Sequence, residues 1–257
     1  MTSSREDSRA QLISQGGSGL RSAGEGLGSE AAPGHERGHR EVGEVQHDEL
    51  HLAVAQVGDH RADHQQDPAD GGHRHQRRLG QIVEKATGQS YGEEIKHRVV
   101  KPLRLRDTSV PGTSSRITGP HPHGYVRIRQ NGESSLVDYT KMSPTVMGAG
   151  GEMISTTGDL NRFFAALLGG RLLPDHLLKE MKTPGVEGGR YGLGLAWWRD
   201  TSCGIRVYGN DGDALAYQSW SYLTDDRRRQ VTIALTPDFS GDPDDAVDAF
   251  LNKALCG

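Results

Sequence analysis

No Phe, Trp, Tyr, Lys or Cys occurs among residues 1–80, whereas residues 81–257 carry every aromatic residue and every lysine of the chain. Hydrophobic residues number 20 of the first 80 and 65 of the other 177. A segment without aromatics and with few aliphatics cannot bury enough apolar surface to offset the ordering of its backbone, which costs roughly 1–2 kcal/mol per residue. Residues 1–78 are therefore expected to be mostly disordered. One helix is expected over 42–57, where Val45, Leu50, Val54 and Val57 share a side. No internal repeat of fixed period is found in either part.

The same division governs charge. The first 80 residues hold 8 of the 12 histidines, and their 9 Arg against 13 Asp and Glu account for the whole net charge of −4. A pI of about 6.3 lacks the basic surplus of a nucleic-acid binder. The apolar run 163–168 is too short to span a bilayer. No apolar stretch follows a basic start near Met1, so no signal peptide is expected, and a cytoplasmic product follows if the chain is expressed as written. Two cysteines exclude a thiolate zinc cage. His35/His39, His47/His51 and His60/His64 have the i,i+4 spacing that puts two imidazoles on one helix face, but no third ligand class is positioned beside them. No metal site and no cofactor is assigned.

From Leu79 onward the sequence reads as folded protein. Leu79, Ile82, Val83 and Ala86 lie on one helical face, with Gly88 as a stop. Ser90 and Glu93 form a capping-box pattern that opens a second helix, expected to end before Pro102. A turn-rich stretch covers 107–122. Thr157-Gly-Asp159 starts a helix bearing Leu160, Phe163, Phe164, Leu167 and Leu168, and a short helix follows Pro174. Strands are expected over 191–198, 205–208, 216–223 and 230–236, with a hairpin tip at 225–227. A final helix after Asp242-Pro243-Asp244-Asp245 carries Ala246, Val247, Phe250, Leu251 and Leu255. The fold class is α+β, an antiparallel sheet flanked by helices.

Three segments, GQIVEKATGQSYGEEIKHRVVKPLRLRDTS, MGAGGEMISTTGDLNRFFAALLGGRLLP and YGLGLAWWRDTSCGIRVYGNDGDALAYQSWSY, resemble the C-terminal two-thirds of serine penicillin-recognising enzymes. The most similar group is the secreted D-alanyl-D-alanine carboxypeptidases of actinomycetes, related to class C β-lactamases. The likeness covers 79–257, a partial domain of that fold, and does not extend to 1–78. It implies a hydrolase acting through an acyl-serine ester, a peptidoglycan-like peptide or β-lactam as ligand, and a secreted or cell-envelope setting. It also implies a disulfide between Cys203 and Cys256; two free thiols are the alternative. Closing that loop would stabilise the fold by about 4 kcal/mol on a chain-entropy basis.

The resemblance also states which residues the chemistry requires. A Ser-x-x-Lys turn supplies the nucleophile and the lysine that deprotonates it. The residues three before each lysine are Ile82, Glu93, Arg98, Asp138, His176, Lys179 and Phe250, so the motif is absent from all 257 residues. The Tyr-x-Asn loop is expected just before Leu79, where the chain reads GGHRHQRR. Where the family has His-Thr-Gly, this chain has Asn210-Asp211-Gly212. Asn210 cannot titrate near neutrality. Asp211 would place an anion where a substrate carboxylate is received, a repulsion of about 4 kcal/mol at 4 Å and an effective dielectric near 20, or about a thousandfold in affinity. Asn-Asp-Gly also reads as a tight turn. Trp197 and Arg199 are the groove candidates, set against a core role for the indole and a solvated ion beside Asp200 for the guanidinium.

These departures give two functional expectations: a serine hydrolase by descent that is inactive as written, or a non-catalytic remnant or peptide-binding pseudoenzyme. Residues 79–257 are expected to fold poorly alone, with the strand 205–208 or its neighbour as an open sheet edge. The abrupt boundary at 79 is what a GC-rich gene read out of frame would produce, so 1–78 is expected to be a frame-shifted or misassigned start. Translating the other two frames upstream of codon 79 is expected to yield a Tyr-x-Asn loop directly before it. Its absence from both frames overturns that expectation.

Overall fold

The computed structural model describes residues 52–53, 68–185, 189, 191–198, 201–239 and 243–257. A four-stranded antiparallel sheet in the order β5-β6-β7-β8 organises them, with β5 at Ala196–Trp198, β6 at Val207–Asp213, β7 at Gln218–Thr224 and β8 at Gln230–Leu235. Strand alternation sends neighbouring side chains to opposite faces, and both faces are covered. On one face Tyr208 and Leu223 pack with Phe164, Leu167, Leu168 and Leu178 from helices α4 (Thr157–Leu168) and α5 (Asp175–Lys182). On the other, Val207, Trp220, Tyr222 and Val231 pack with Val247, Leu251 and Leu255 of helix α6 (Asp244–Cys256). This is the α+β architecture expected from the sequence.

The position of β6 bears on two expectations. It is an interior strand, paired with β5 on one side and β7 on the other, so among the described strands the sheet edges are β8 and β5, and it is the neighbour of 205–208, not that strand itself, that lies at an edge. Asn210, Asp211 and Gly212 continue β6 in register with Ser221, Trp220 and Ser219 and do not form a turn. The ladder to β7 satisfies their backbone groups, which outweighs the local turn preference of Asn-Asp-Gly. The reversal comes later, where Asp213 Oδ1 accepts the N–H of Leu215 at 2.8 Å and Ala214 N–H bonds the Tyr217 carbonyl. Gly209 is required for close approach, since a Cβ there would lie 1.8 Å from the Ser221 carbonyl oxygen.

Helix α1 (Pro68–Thr87) begins well before Leu79 and crosses the compositional boundary, because its first half has no apolar period to betray it. It ends at Gly88, at φ +72°. The helix capped by Ser90, α2 (Tyr91–Ile95), does not stop before Pro102. A π turn over Lys96–Val100 leads into α3 (Lys101–Leu103), and the Lys101 N–H bonds the Lys96 carbonyl, five residues back. That wider turn accommodates the proline ring, which an ideal α-helix excludes.

A hairpin of β2 (Tyr125–Gln130) and β3 (Glu133–Asp138) was not expected. Its turn is Asn131-Gly132 at φ +52° and +84°, the mirror-image turn that this dipeptide favours. Strand β1 (Leu52–Ala53) pairs antiparallel with β4 (Ile154–Ser155), so these two residues take their hydrogen bonds from a distant strand instead of from a helix. The rest of 42–57 lies outside the described residues, as do the three His pairs. Residues 203 and 256 are joined as a disulfide with Cα atoms 5.7 Å apart. The end of α6 is further held by Arg229, which donates to the Leu255 carbonyl at 2.9 Å.

Asp159, fully buried in the first turn of α4, ties these layers to the turn-rich stretch. Its carboxylate accepts from the Asp107 backbone at 2.9 Å and the Thr108 hydroxyl at 2.8 Å, and pairs with Arg162 at 2.8 Å. Asp159→Ala is expected to destabilise the fold by about 3 kcal/mol, because three donors lose their acceptor. Denaturant titration with an unchanged midpoint would contradict this.

Candidate functional site

The residues singled out in the sequence fall on and around β6. Asn210 is 5% exposed and lies on the face covered by α4 and α5, opposite Ser221. Its side-chain oxygen accepts the N–H of Asp211 at 3.1 Å. Ser221 hydrogen-bonds Thr232 at 2.6 Å, and the Thr232 hydroxyl donates to Asn161 Oδ1 on α4 at 2.9 Å. Thr232 thus gives its one proton to Asn161 and accepts from Ser221. Both hydroxyls are committed to neutral partners, an arrangement that crosslinks strand to helix and activates neither oxygen as a nucleophile.

Alternation puts Asp211 on the opposite face, across from Trp220 and on the α6 side. Asn210 and Asp211 therefore do not present a joint surface to one ligand. The structure brings Trp197 into register with Tyr208 across β5 and β6. Arg199 lies outside the described residues. Residues 71–78, where a loop carrying Tyr and Asn was expected, are part of helix α1. Among the described residues no group of three His, Cys, Asp or Glu could hold a metal ion. No described helix is long and apolar enough to cross a membrane.

Two clefts meet at a residue that the sequence reading passed over. The first is lined by Met142, Met147, Ile154, Ala214, Tyr217 and Glu152. The second, of about 530 Å³, is bordered by Glu84, Tyr91, Lys96, Lys101, Val110 and again Glu152. Glu152 is 6% exposed. The Tyr91 hydroxyl donates to one of its carboxylate oxygens, and the Tyr91 backbone N–H donates to Glu84 at 3.3 Å. Burial pushes the Glu152 carboxyl above the usual glutamate value, and the bond from Tyr91 offsets this only in part. Burial, followed by the neighbouring Glu152, pushes the Tyr91 phenol up as well. A signal for this pair was present: Glu152 is the sole charged residue between Lys141 and Asp159. What the sequence lacked was the pairing with Tyr91, 61 positions away.

Residues 78–255 match the family model described as Beta-lactamase. Among solved structures, a D-stereospecific amidohydrolase from Streptomyces sp. is 37% identical with a TM-score of 0.60, over 66% of this chain and 51% of that one. The D-amino acid amidase from Ochrobactrum anthropi SV3, solved with L-phenylalanine amide, is 23% identical with a TM-score of 0.56, over 74% of this chain and 58% of that one. A penicillin-binding protein from Bacillus halodurans is 17% identical with a TM-score of 0.57, again over 74% and 58%. The chain spans between half and three-fifths of the length of these proteins.

The raised carboxyl of Glu152 sets a pH dependence whose sign is definite. A folded-state value above the unfolded one favours the fold below the ordinary glutamate value of 4.5, and that contribution is lost as pH rises through the folded value. Above the folded value the ionised side chain is a net cost. Glu152→Gln keeps an acceptor for Tyr91 without the charge. It is expected to raise the melting temperature at pH 7 and to shrink the difference between pH 4 and pH 7. An unchanged pH profile in the variant would exclude Glu152 as its source.

Proposed function

This chain belongs to the Beta-lactamase family, and we propose on that footing that it is a serine hydrolase by descent, of the D-alanyl-D-alanine carboxypeptidase or D-amino-acid amidase type, that does not form an acyl-enzyme with the residues it has. The ligand class is a peptidoglycan-like peptide, a D-amino-acid amide or a β-lactam. The observation that carries this reading is the absence of any Ser or Thr three residues before a lysine in 257 positions. Acyl transfer through serine needs a base within hydrogen-bond reach of the hydroxyl. The Ser221 and Thr232 hydroxyls beside Asn210 give their protons to neutral neighbours instead.

Asn210 supports the same reading. At the position where the resemblance calls for a titratable histidine, an amide offers hydrogen bonds but neither takes up a proton nor supplies positive potential. The resemblance also supports a secreted or cell-envelope setting, in which the Cys203–Cys256 disulfide would persist.

A fluorescent penicillin and intact-mass spectrometry test the proposal. No covalent adduct is expected on the full chain, and no release of ammonia from D-phenylalanine amide. A stoichiometric adduct on a serine would overturn the inactivity and identify a nucleophile outside the family's motif.

A further inference from the structure

We propose that His121 and His123 form a binding site for a divalent transition-metal ion of the Zn2+, Cu2+ or Ni2+ class, held through the Nε2 atoms of the two imidazoles.

The pair stands on the segment His121-Pro122-His123, which leads into β2. Residues two apart share a face of extended chain. Here the two rings lie side by side, with centroids 6.2 Å apart and planes 17° from parallel. Two imidazoles bound to one ion at about 2.1 Å set their centroids about 5.2 Å apart at a tetrahedral angle and about 6.4 Å apart when opposed. The observed separation falls between these.

The partners of the two rings fix where their protons sit. His121 Nδ1 lies 2.8 Å from the Gly119 carbonyl oxygen, and His123 Nδ1 lies 2.7 Å from Asp138 Oδ2. A carbonyl can only accept, so His121 Nδ1 carries the proton. Hydrogen bonds from Thr140 and His123 hold the Asp138 carboxyl well below the usual aspartate range. It is ionised and only accepts, so His123 Nδ1 donates as well. Each neutral ring therefore presents its lone pair at Nε2, and among the described residues neither Nε2 has a hydrogen-bond partner. This is the arrangement that supports metal-ligating histidines: donating one ring N–H to a carboxylate or carbonyl fixes the tautomer and raises the basicity of the other nitrogen.

The backbone that carries the rings is pinned. The buried Tyr217 hydroxyl donates to the Pro122 carbonyl at 3.0 Å, and Gly124 N–H donates to the Thr140 hydroxyl at 2.9 Å. Thr140 N–H also donates to Asp138 Oδ1 at 2.9 Å, so the carboxylate behind His123 and the chain bearing His123 share one anchor. The described residues place no third His, Cys, Asp or Glu as a ligand beside the pair, which leaves the remaining coordination positions to water or a bound molecule. Imidazole donors favour Zn2+, Cu2+ and Ni2+ over Mg2+, which takes oxygen ligands. Binding displaces no proton from either ring, because both Nδ1–H groups stay donated.

Diethyl pyrocarbonate acylates accessible imidazoles, and peptide mass spectrometry reads each histidine separately, so the histidines of 1–67 do not obscure the result. On the full chain, a Zn2+ titration is expected to protect His121 and His123 together, while His97 and His176 stay reactive and Mg2+ protects none. His121→Asn is expected to abolish the protection of His123. Asp138→Asn is expected to raise the Zn2+ concentration needed about tenfold or more, as loss of a supporting carboxylate does. Unchanged acylation of His121 and His123 across the titration, protection of one ring without the other, equal protection by Mg2+, or an Asp138→Asn profile identical to that of the unsubstituted chain would each overturn the proposal. The readout is acylation at two named rings, so it stands or falls independently of any penicillin adduct.

Discussion

Strand β6 is the constraint on which the remaining structure depends. Val207 and Tyr208, one residue apart, anchor two separate cores, the first under α6 and the second under α4 and α5. A strand with both faces buried cannot slip by one residue without exchanging the contents of the two cores. The close approach of Ser221 to Gly209 adds a steric stop. The register of β5 and β7, and through β7 that of β8, follows from this one strand.

Polar ties connect that sandwich to the surrounding segments. Asp159 holds the Asp107 backbone and the Thr108 hydroxyl to the start of α4. Tyr217, 1% exposed at the β6–β7 turn, donates its hydroxyl proton to the Pro122 carbonyl at 3.0 Å. Gly124 fits against that ring because it has no side chain; a Cβ there would lie 2.6 Å from a ring carbon. Glu152 and Tyr91 join the segment before β4 to the second helix. Three of these ties use groups that are costly to bury, and each is satisfied by a partner distant in sequence.

The residues on strand β6 differ from those that the resemblance calls for there. A fold positions groups but does not supply them. Here the strand that the resemblance identifies with substrate binding is well formed, central and regular, while the residues on it are Asn and Asp. On the same face the Ser221 and Thr232 hydroxyls link strand to strand and strand to helix. A regular sheet and Asn and Asp at these positions are compatible because different atoms are involved: backbone ladders and apolar faces hold the sheet, and side-chain ends carry reactivity.

The sequence by itself determined the elements whose information is local. The spacing of Leu160, Phe164, Leu167 and Leu168, the Ser90 cap, the stop at Gly88 and the aromatic-rich run in 216–223 all act within a few residues of the chain, so local pattern revealed them. The Asn131-Gly132 hairpin belongs to the same class, and its dipeptide was readable although the strands beside it were not recognised. Only the tertiary structure decided the rest. Asn210-Asp211-Gly212 carries a turn's local preference and lies in a strand because β7 supplies its hydrogen bonds. Pro102 sits inside a helical run because a π turn precedes it. The stripe of Leu79, Ile82 and Val83 on α1 faces outward because Gly80, with no side chain, lets Ala149 and Tyr91 occupy the other side. The pairing of Glu152 with Tyr91 spans 61 residues and leaves no trace in any local window. Local spacing sets which faces of the chain are apolar, but which neighbour meets each face is decided by packing among residues far apart in sequence.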